Sequence, residues 1–143
     1  MIDSRDINEL HPLVQAMCRL HIEECTKAGI RVIVYQTYRD HEYQNHLYAQ
    51  GRTRPGKIVT NAKGGQSFHN WRVAYDMAPM RNGQIVWGTS SAEDKALWNK
   101  VGELGELVGM EWGGRWKRFV DMPHFQYTQG LTYTDFANGK NIS

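Results

Sequence analysis

The chain has 143 residues, which is enough for one domain with an ordinary hydrophobic core and no need for disulfide staples. Its formal net charge of +2 is too small to indicate nucleic-acid binding, although it suits a mildly anionic surface or polymer. Residues 1–9 are too polar for a signal peptide, and no apolar run is long enough for a membrane helix. We therefore expect one domain over residues 1–143 and a monomer without membrane insertion, made in the cytoplasm without a signal peptide.

A first helix is predicted between Pro12 and Gly29, because proline suits the first turn of a helix and glycine suits its end. His21 belongs to the stripe of residues that recur at helical spacing, so we interpret it as a packed histidine rather than a ligand. Cys18 and Cys25 share one helix face but lie about 10 Å apart along the axis, which is too far for a disulfide. Two free, buried thiols are expected.

A strand over residues 31–36 is followed by a second predicted helix, which begins after the capping residue Asp40 and ends near Gln50. This helix contains His41 and His46, a pair that looks like the zinc-binding helix of metalloproteases with one residue too many. Five residues advance a helix by about 500°, so the two rings point roughly 140° apart around the axis. They cannot bind one ion from one face, and we exclude them as a metal site.

Residues 52–65 contain several glycines and a proline, and they are predicted to form a loop with a short strand at residues 58–60. A loop of this length next to a candidate site more often takes part in function than not. The loop leads directly to the segment that carries the candidate metal ligands.

The pair Asn82-Gly83 predicts a hairpin turn, since both residues tolerate positive φ. Ser90 or Ser91 is expected to cap a third helix that reaches about Val108. Residues 128–143 are polar and rich in turn-forming residues, and no further element is predicted there.

Residues 73–78 alternate between large apolar side chains and small or acidic ones, which is the period of a half-buried strand. In this pattern Asp76 shares a face with Ala74 and Ala78, so there is open space above its carboxylate for a hydrated metal ion. His69 lies on the glycine-rich approach to the strand, and its ring can reach the same space.

A second strand-like segment, residues 121–127, places His124 and Gln126 on one side. Two histidines, one aspartate and a water make a catalytic zinc set, and Asp121 remains free to act as the base. The alternative is a turn histidine that is hydrogen-bonded to a nearby carboxylate. Asp121 and His124 are three residues apart, so an unbroken strand would put them on opposite faces. The zinc hypothesis therefore requires a bend at Met122-Pro123.

Trp112 and Trp116 flank a pair of glycines. Such an arrangement forms either a turn that caps the core or the aromatic wall of a cleft. The spacing does not decide between the two, and both interpretations stay open at this point.

Several motifs resemble the zinc peptidases of the D-alanyl-D-alanine carboxypeptidase and dipeptidase family, which cut peptidoglycan stem peptides. The central ones are Ser67-x-His69, Asp76 and Asp121-x-Pro123-His124. The fit is best to the L-alanyl-D-glutamate endopeptidase branch of phage endolysins and Bacillus wall enzymes. The segments similar to that branch are Leu10-His11-Pro12, Tyr38-Arg39, Leu47–Thr53, Pro55–Ala62, Ser67–Asn70 and Glu111–Gly114. Together the similarity spans residues 6–127.

The resemblance implies a small α+β domain in which helices pack on an antiparallel sheet whose open face carries the zinc, as in hedgehog-like and DD-peptidase-like folds. It implies that Zn²⁺ is held by His69, Asp76 and His124, and that Asp121 is the catalytic base. No separate wall-binding domain is expected.

The resemblance also assigns Arg39 to the oxyanion that forms during hydrolysis, a role that suits a fixed, charged donor. The alternative for Arg39 is a surface salt bridge to Asp40 or Glu42. Ser67, Gln44 and Trp112 are the expected substrate-binding residues.

Two residues depart from the family pattern: Arg72 stands where glycine is common, and Arg115 stands where an acidic residue is common. We expect both near the cleft, where their charge would change the preference for the stem peptide.

The implied function is hydrolysis of the L-alanyl-D-glutamate bond of peptidoglycan stem peptides, which lyses bacteria once the enzyme is released to the wall, as phage endolysins do. One alternative is a D-alanyl-D-alanine carboxypeptidase, in which Arg72 or Arg115 would hold the terminal carboxylate. The other is a non-catalytic wall-binding or signalling module of the same fold.

Overall fold

Four helices and one five-stranded sheet make up the computed structural model, which describes residues 1–143. The helices are α1 Pro12–Lys27, α2 His41–Ala49, α3 Ala92–Leu107 and α4 Tyr133–Ala137. The strands are β1 Arg31–Gln36, β2 Ala74–Arg81, β3 Gln84–Ile85, β4 Glu111–Trp112 and β5 His124–Gln126. Short 3₁₀ helices lie at Ile7–Glu9, Phe68–Trp71 and Gly113–Arg115. None of the helices has the length and hydrophobicity needed to cross a bilayer.

Local signals set the ends of the longer elements. The carboxylate of Asp40 accepts a 2.7 Å hydrogen bond from the backbone N–H of Tyr43 and caps α2. Ser91 caps α3 in the same way, by accepting from a backbone N–H at 3.0 Å. Asn82 and Gly83 form the turn between β2 and β3. Both have positive φ, 54° for Asn82 and 78° for Gly83. These three sequence predictions are confirmed.

The sheet is antiparallel throughout, with strand order β1-β2-β5-β4, and β3 pairs with β2 as a hairpin. Asp76 in β2 lies directly opposite Gln36 of β1 on one side and His124 of β5 on the other. The α+β fold with an antiparallel sheet is thus as predicted. The pairing brings distant parts of the chain to the two sides of one buried carboxylate.

The core lies between the sheet and the helices α1 and α3. Val73, Tyr75 and Met77 point into it, as the alternating pattern predicts. The opposite face of β2 is covered as well, since Ala74 and Ala78 are fully buried, so the prediction of a half-buried strand is wrong. Both faces of β2 are buried because other parts of the chain pack on it from each side.

Gly105 allows α3 to pack closely on the sheet. A Cβ atom at this position would overlap the ring of Phe125 and would also meet the ring of His21 at 2.8 Å. The helix can therefore come close to the sheet only without a side chain here.

One prediction outside the site is wrong. Residues 58–60 form no strand. The tail contains the short helix α4, in which Thr132 and Asp135 form a reciprocal capping box. This capping signal is present in the sequence, but the helix is stabilised by burial of Phe136 against Trp71, whose rings lie 6.0 Å apart.

Cys18 and Cys25 are buried free thiols, as predicted. Burial raises the pKa of Cys18 to about 12 and that of Cys25 to about 11. Since the thiolate is the reactive form, both side chains are chemically inert components of the core.

His21 is fully buried, and both of its ring nitrogens are used. Nε2 lies 2.8 Å from the carbonyl oxygen of Val101, which can only accept, so the ring carries its proton on Nε2. Nδ1 then accepts from the hydroxyl of Tyr75 at 2.8 Å. The ring is neutral and satisfied, which confirms its interpretation as a packed histidine.

We expect His21 to make folding stability pH-dependent. Burial lowers the pKa of His21 to about 4, against 6.5 when the chain is unfolded. Between these values the unfolded chain takes up a proton and the native protein does not, so stability falls as the pH falls from 6.5 to 4. The loss approaches about 3 kcal/mol at pH 4.

The matched control is His21→Gln, whose amide can accept from Tyr75 and donate to Val101 without titrating. Urea unfolding at pH 4 to 7.5 should show a shallower pH dependence in this variant than in the wild type. Equal slopes in the two proteins would contradict the assignment.

Candidate metal centre

Three side chains that favour a metal ion meet at the middle of the sheet. They are His69 from the 3₁₀ helix Phe68–Trp71, Asp76 from β2 and His124 from β5, and all three are buried. One ligand atom from each lies within 4.8 Å of the others. Oδ1 of Asp76 is 3.3 Å from Nε2 of His69 and 3.4 Å from Nδ1 of His124.

The backbone determines which nitrogen of His69 faces this cluster. Nδ1 of His69 lies 2.9 Å from the carbonyl oxygen of Thr37, which can only accept a hydrogen bond. The proton is therefore on Nδ1, and the lone pair of Nε2 points toward Asp76. Such an outer hydrogen bond is the usual way in which proteins orient a metal-binding histidine.

His124 is oriented by a side chain instead. Its Nε2 lies 2.8 Å from Oε1 of Gln126, and the amide nitrogen of Gln126 donates to a carboxylate oxygen of Glu111 at 2.9 Å. An amide whose nitrogen donates to Glu111 presents its oxygen to His124, so the imidazole proton is on Nε2. The lone pair of Nδ1 is left to face Asp76.

The arrangement fits a cation. Nε2 of His69 and Oδ1 of Asp76 are buried and have no hydrogen-bond partner in the protein, and buried polar atoms of this kind are uncommon. Burial raises the pKa of Asp76, but the two histidines outweigh burial and hold this pKa below its usual value. Two imidazole nitrogens and a carboxylate oxygen that converge on one point form the ligand set of a metal ion.

Asp121 lies at the edge of the cluster. The chain turns at Met122-Pro123 just before β5 begins, which is the bend that the sequence analysis requires. As a result Oδ2 of Asp121 is 4.0 Å from Nδ1 of His124, and its side chain is about half exposed, at 46%. Partial burial and the nearby carboxylate of Asp76 raise the pKa of Asp121, whereas His124 lowers it.

A second contact holds the backbone of Asp121. Its N–H donates to the carbonyl oxygen of Gly113 at 3.1 Å, and the N–H of Trp116 donates to the same oxygen at 3.2 Å. Both ends of the loop over residues 116–121 are therefore held by hydrogen bonds to the same carbonyl oxygen. A Cβ at Gly113 would overlap the carbonyl oxygen of Asp121, so this approach requires glycine.

Arg39 follows β1 and lines the same cleft. Its Nη1 donates to Gln44 and its Nη2 donates to Gln36, both at 3.0 Å. Burial lowers the pKa of Arg39, opposed by Asp76, yet a guanidinium remains charged at any ordinary pH. Asp40 and Glu42 instead contact the amino terminus, so the salt-bridge alternative for Arg39 is wrong.

The cluster opens into a cleft of about 750 Å³. Six of the predicted site residues line it: Arg39, Ser67, His69, Asp76, Asp121 and His124. The cleft also includes Trp116, whose place the sequence left open, and residues to which the sequence assigned no contact, among them Gln36, Asn61, Phe119, Gln126 and Tyr133. Asn61 and Phe119 lie in loops, where periodicity gives no signal.

Two predicted substrate contacts do not line the cleft. Gln44 is fully buried, and its amide accepts from Arg39 and donates to the carbonyl oxygen of Ala62 at 2.9 Å, so both of its ends are used inside the protein. Trp112 is a core residue whose indole N–H donates to the carbonyl oxygen of Met122 at 2.7 Å. Of the two open interpretations of the tryptophan pair, Trp112 belongs to the core and Trp116 belongs to the cleft.

Arg72 and Arg115 also lie away from the cleft, so the prediction that they stand near it is wrong. Arg72 pairs with Glu9 at 2.7 Å and stacks on the ring of Tyr38 at 3.7 Å. Its φ of 65° is in the left-handed region, which explains why glycine suits this position. Arg115 pairs with Glu106 on the surface, at 2.9 Å.

Known sequences that are similar to this chain identify its family. The sequence profile of D-alanyl-D-alanine carboxypeptidase matches residues 60–127, the range that contains all three candidate ligands and Asp121. The peptidoglycan L-alanyl-D-glutamate endopeptidase CwlK of Bacillus subtilis (strain 168) is 38% identical over 123 residues, which cover 83% of this chain and 74% of that protein. The L-alanyl-D-glutamate peptidase of Listeria phage A118 is 27% identical over 139 residues, covering 96% of this chain but only 45% of the phage protein.

Solved structures support the same fold. The L-Ala D-Glu endopeptidase ChiX of Serratia marcescens matches with a TM-score of 0.63 and 21% identity, over 91% of this chain and 86% of that one. VanYB in complex with D-alanine-D-alanine matches with a TM-score of 0.60 and 14% identity, over 99% of this chain and 90% of that one. These two structures show the fold, and the 38% identity to CwlK shows that the chain belongs to the D-alanyl-D-alanine carboxypeptidase family of peptidases, in its L-alanyl-D-glutamate endopeptidase branch.

Proposed function

We propose that this chain is a zinc-dependent endopeptidase that hydrolyses the L-alanyl-D-glutamate bond of peptidoglycan stem peptides, with residues 1–143 acting as one catalytic domain. The observation that carries the proposal is the convergence of ligand atoms from three buried side chains on one point, with Asp121 and Arg39 at the same cleft. The family is metal-dependent, and a relative named for this reaction, CwlK, is 38% identical to the chain over 123 residues. Two imidazoles and one carboxylate suit zinc in particular.

His69, Asp76 and His124 would hold the ion. Bound there, zinc would activate a water molecule and polarise the carbonyl group of the scissile bond. The protein supplies the orientation of the ligands through fixed tautomers. It also supplies a buried carboxylate whose pKa is held below its usual value, so that it is ionised and ready to bind a cation.

Asp121 would take the proton of the attacking water and return it to the leaving amine. A raised pKa suits this task, since a base works best when its pKa is near the working pH. Its half-exposed position leaves room for the water and for the substrate amide. The tether between its backbone N–H and Gly113 keeps it beside His124 rather than in solvent.

Arg39 would stabilise the negative charge that develops on the carbonyl oxygen. Both of its terminal nitrogens are held by glutamines, so the charge is fixed in place before the reaction, which is what electrostatic catalysis requires. Gln44 therefore holds the guanidinium of Arg39 in position and does not itself line the cleft. Ser67, which lines the cleft beside His69, is the proposed substrate contact.

The charge of the cleft favours an endopeptidase over a carboxypeptidase. Arg39 is the only lysine or arginine among the residues that line it, and the proposed mechanism uses its charge for the oxyanion. A carboxypeptidase needs a further cation for the free terminal carboxylate of its substrate. Arg72 and Arg115, which sequence reasoning offered for that purpose, are paired elsewhere.

The products of digestion test the proposal. Incubation of the zinc-loaded protein with purified peptidoglycan should create new amino termini on D-glutamate or isoglutamine and leave L-alanine on the glycan side, as measured by mass spectrometry. Chelator treatment should stop the reaction, and added zinc should restore it. Free D-alanine as the main product would indicate the carboxypeptidase, and no new termini at all would indicate a non-catalytic module.

A further inference from the structure

Glu111 is an exposed residue on β4 that does not line the cleft, yet its carboxylate is connected to the metal centre. Glu111 and Gln126 are directly opposite each other in the β4–β5 pair. Their side chains meet at 2.9 Å, where the amide nitrogen of Gln126 donates to Oε2 of Glu111. The sheet register therefore holds the two side chains in contact.

The direction of this hydrogen bond decides the orientation of the Gln126 amide. A carboxylate can only accept, so Gln126 must present its NH₂ group to Glu111 and its oxygen to Nε2 of His124, which lies 2.8 Å away. If the amide were rotated by half a turn, NH₂ would face His124. The imidazole would then carry its proton on Nδ1, which is the atom that faces Asp76.

A second contact leads from Glu111 to the same imidazole. The indole N–H of Trp116 donates to Oε1 of Glu111 at 3.4 Å. The indole ring packs against the ring of His124, with centroids 5.2 Å apart and an angle of 47° between the planes. One carboxylate thus restrains both the hydrogen-bond partner of His124 and the aromatic ring that packs on it.

We propose that Glu111 is a positioning residue for the metal centre: by fixing the amide of Gln126, it keeps the proton of His124 on Nε2 and leaves Nδ1 free to bind the ion. This inference rests on the proposed metal-dependent function. It extends that function to a residue outside the cleft, which touches neither the substrate nor the ion. His69 needs no such partner, because a backbone carbonyl does the same task for it.

The test compares zinc affinity and the tautomer of His124 in a set of variants. Loss of a direct outer hydrogen bond to a ligand usually weakens metal binding by roughly 10- to 100-fold. Glu111 acts on His124 through Gln126, so Glu111→Ala should weaken zinc binding by roughly 10-fold, at the lower end of that range. Affinity is measured by competition with a chromophoric chelator. In the metal-free protein, at a pH high enough to keep His124 neutral, ¹⁵N NMR of the histidine side chains should show the Nε2–H form of His124 in the wild type and a large Nδ1–H fraction in Glu111→Ala.

A charge swap separates this role from simple packing. In the double variant Glu111→Gln/Gln126→Glu, the carboxylate at position 126 accepts from His124 and the amide at position 111 donates to that carboxylate. Zinc affinity should return to within a few-fold of the wild type, and the Nε2–H form of His124 should again predominate. The control Glu106→Ala removes a surface carboxylate that contacts only Arg115, and it should change neither quantity.

Unchanged zinc affinity and an unchanged tautomer in Glu111→Ala would overturn the inference. It would also be overturned if the folded swap variant bound zinc as poorly as Glu111→Ala, because the loss would then come from packing. Failure of the proposed function has a different signature, since the wild-type protein itself would bind no zinc.

Discussion

Asp121→Asn should keep its metal and lose its turnover. Asparagine has nearly the shape of aspartate, and the backbone hydrogen bond to Gly113 does not involve the side chain, so the loop before β5 should stay in place. The amide cannot take a proton from water, however. Hydrolysis of stem peptides should fall by roughly 10²- to 10⁴-fold, which is the usual contribution of a positioned general base, while zinc content stays near one ion per chain.

Three roles for Asp121 are distinguished when zinc stoichiometry and turnover are measured on the same preparation. Loss of zinc together with activity would make Asp121 a ligand. Near-normal turnover with zinc bound would make it only a turn residue and would end the proposed mechanism. A matched control is Asp94→Asn, which removes a carboxylate that pairs with Arg81 far from the cleft and should change neither measurement.

Removal of any one of the three candidate ligands should abolish metal binding and lysis together. His69→Ala, Asp76→Ala and His124→Ala each leave only two protein ligands, which is too few for a stable zinc site. The wild type should also be stabilised by zinc, by about 2.7 kcal/mol at a free concentration 100 times its dissociation constant. The three variants should show no such gain in thermal or urea unfolding.

His46→Ala is the matched histidine control for the ligand variants. His46 lies on α2 and contacts Tyr43 rather than the cluster, so zinc content and activity should be unchanged. Full zinc occupancy in any of the three ligand variants would remove that residue from the ligand set.

Much of this protein follows from the sequence by local rules. Asp40 caps α2, Asn82-Gly83 forms the hairpin turn, and the alternation of residues 73–78 marks the core strand. Each of these signals depends on a few neighbouring residues, since capping and turn conformations are decided within about one turn of chain. The candidate ligands belong to this group too, because their residue types and the motifs around them are visible in the sequence.

Only the tertiary structure decides what lies opposite a side chain. It assigns Trp116 rather than Trp112 to the cleft, buries Gln44 behind Arg39, and pairs Arg115 with a glutamate on α3. These outcomes depend on how α3 and the loop after β4 pack on the sheet, and such contacts join residues far apart in the chain.

The same reason applies to the proton positions at the metal centre. Which nitrogen of His124 is free depends on Gln126, and the orientation of Gln126 depends on Glu111, which comes beside it only through the register of β4 and β5. The sequence by itself therefore determines which groups are available to bind a metal ion. The sheet pairing determines which lone pairs point at one another, because a hydrogen bond between strands exists only once the strands have been aligned.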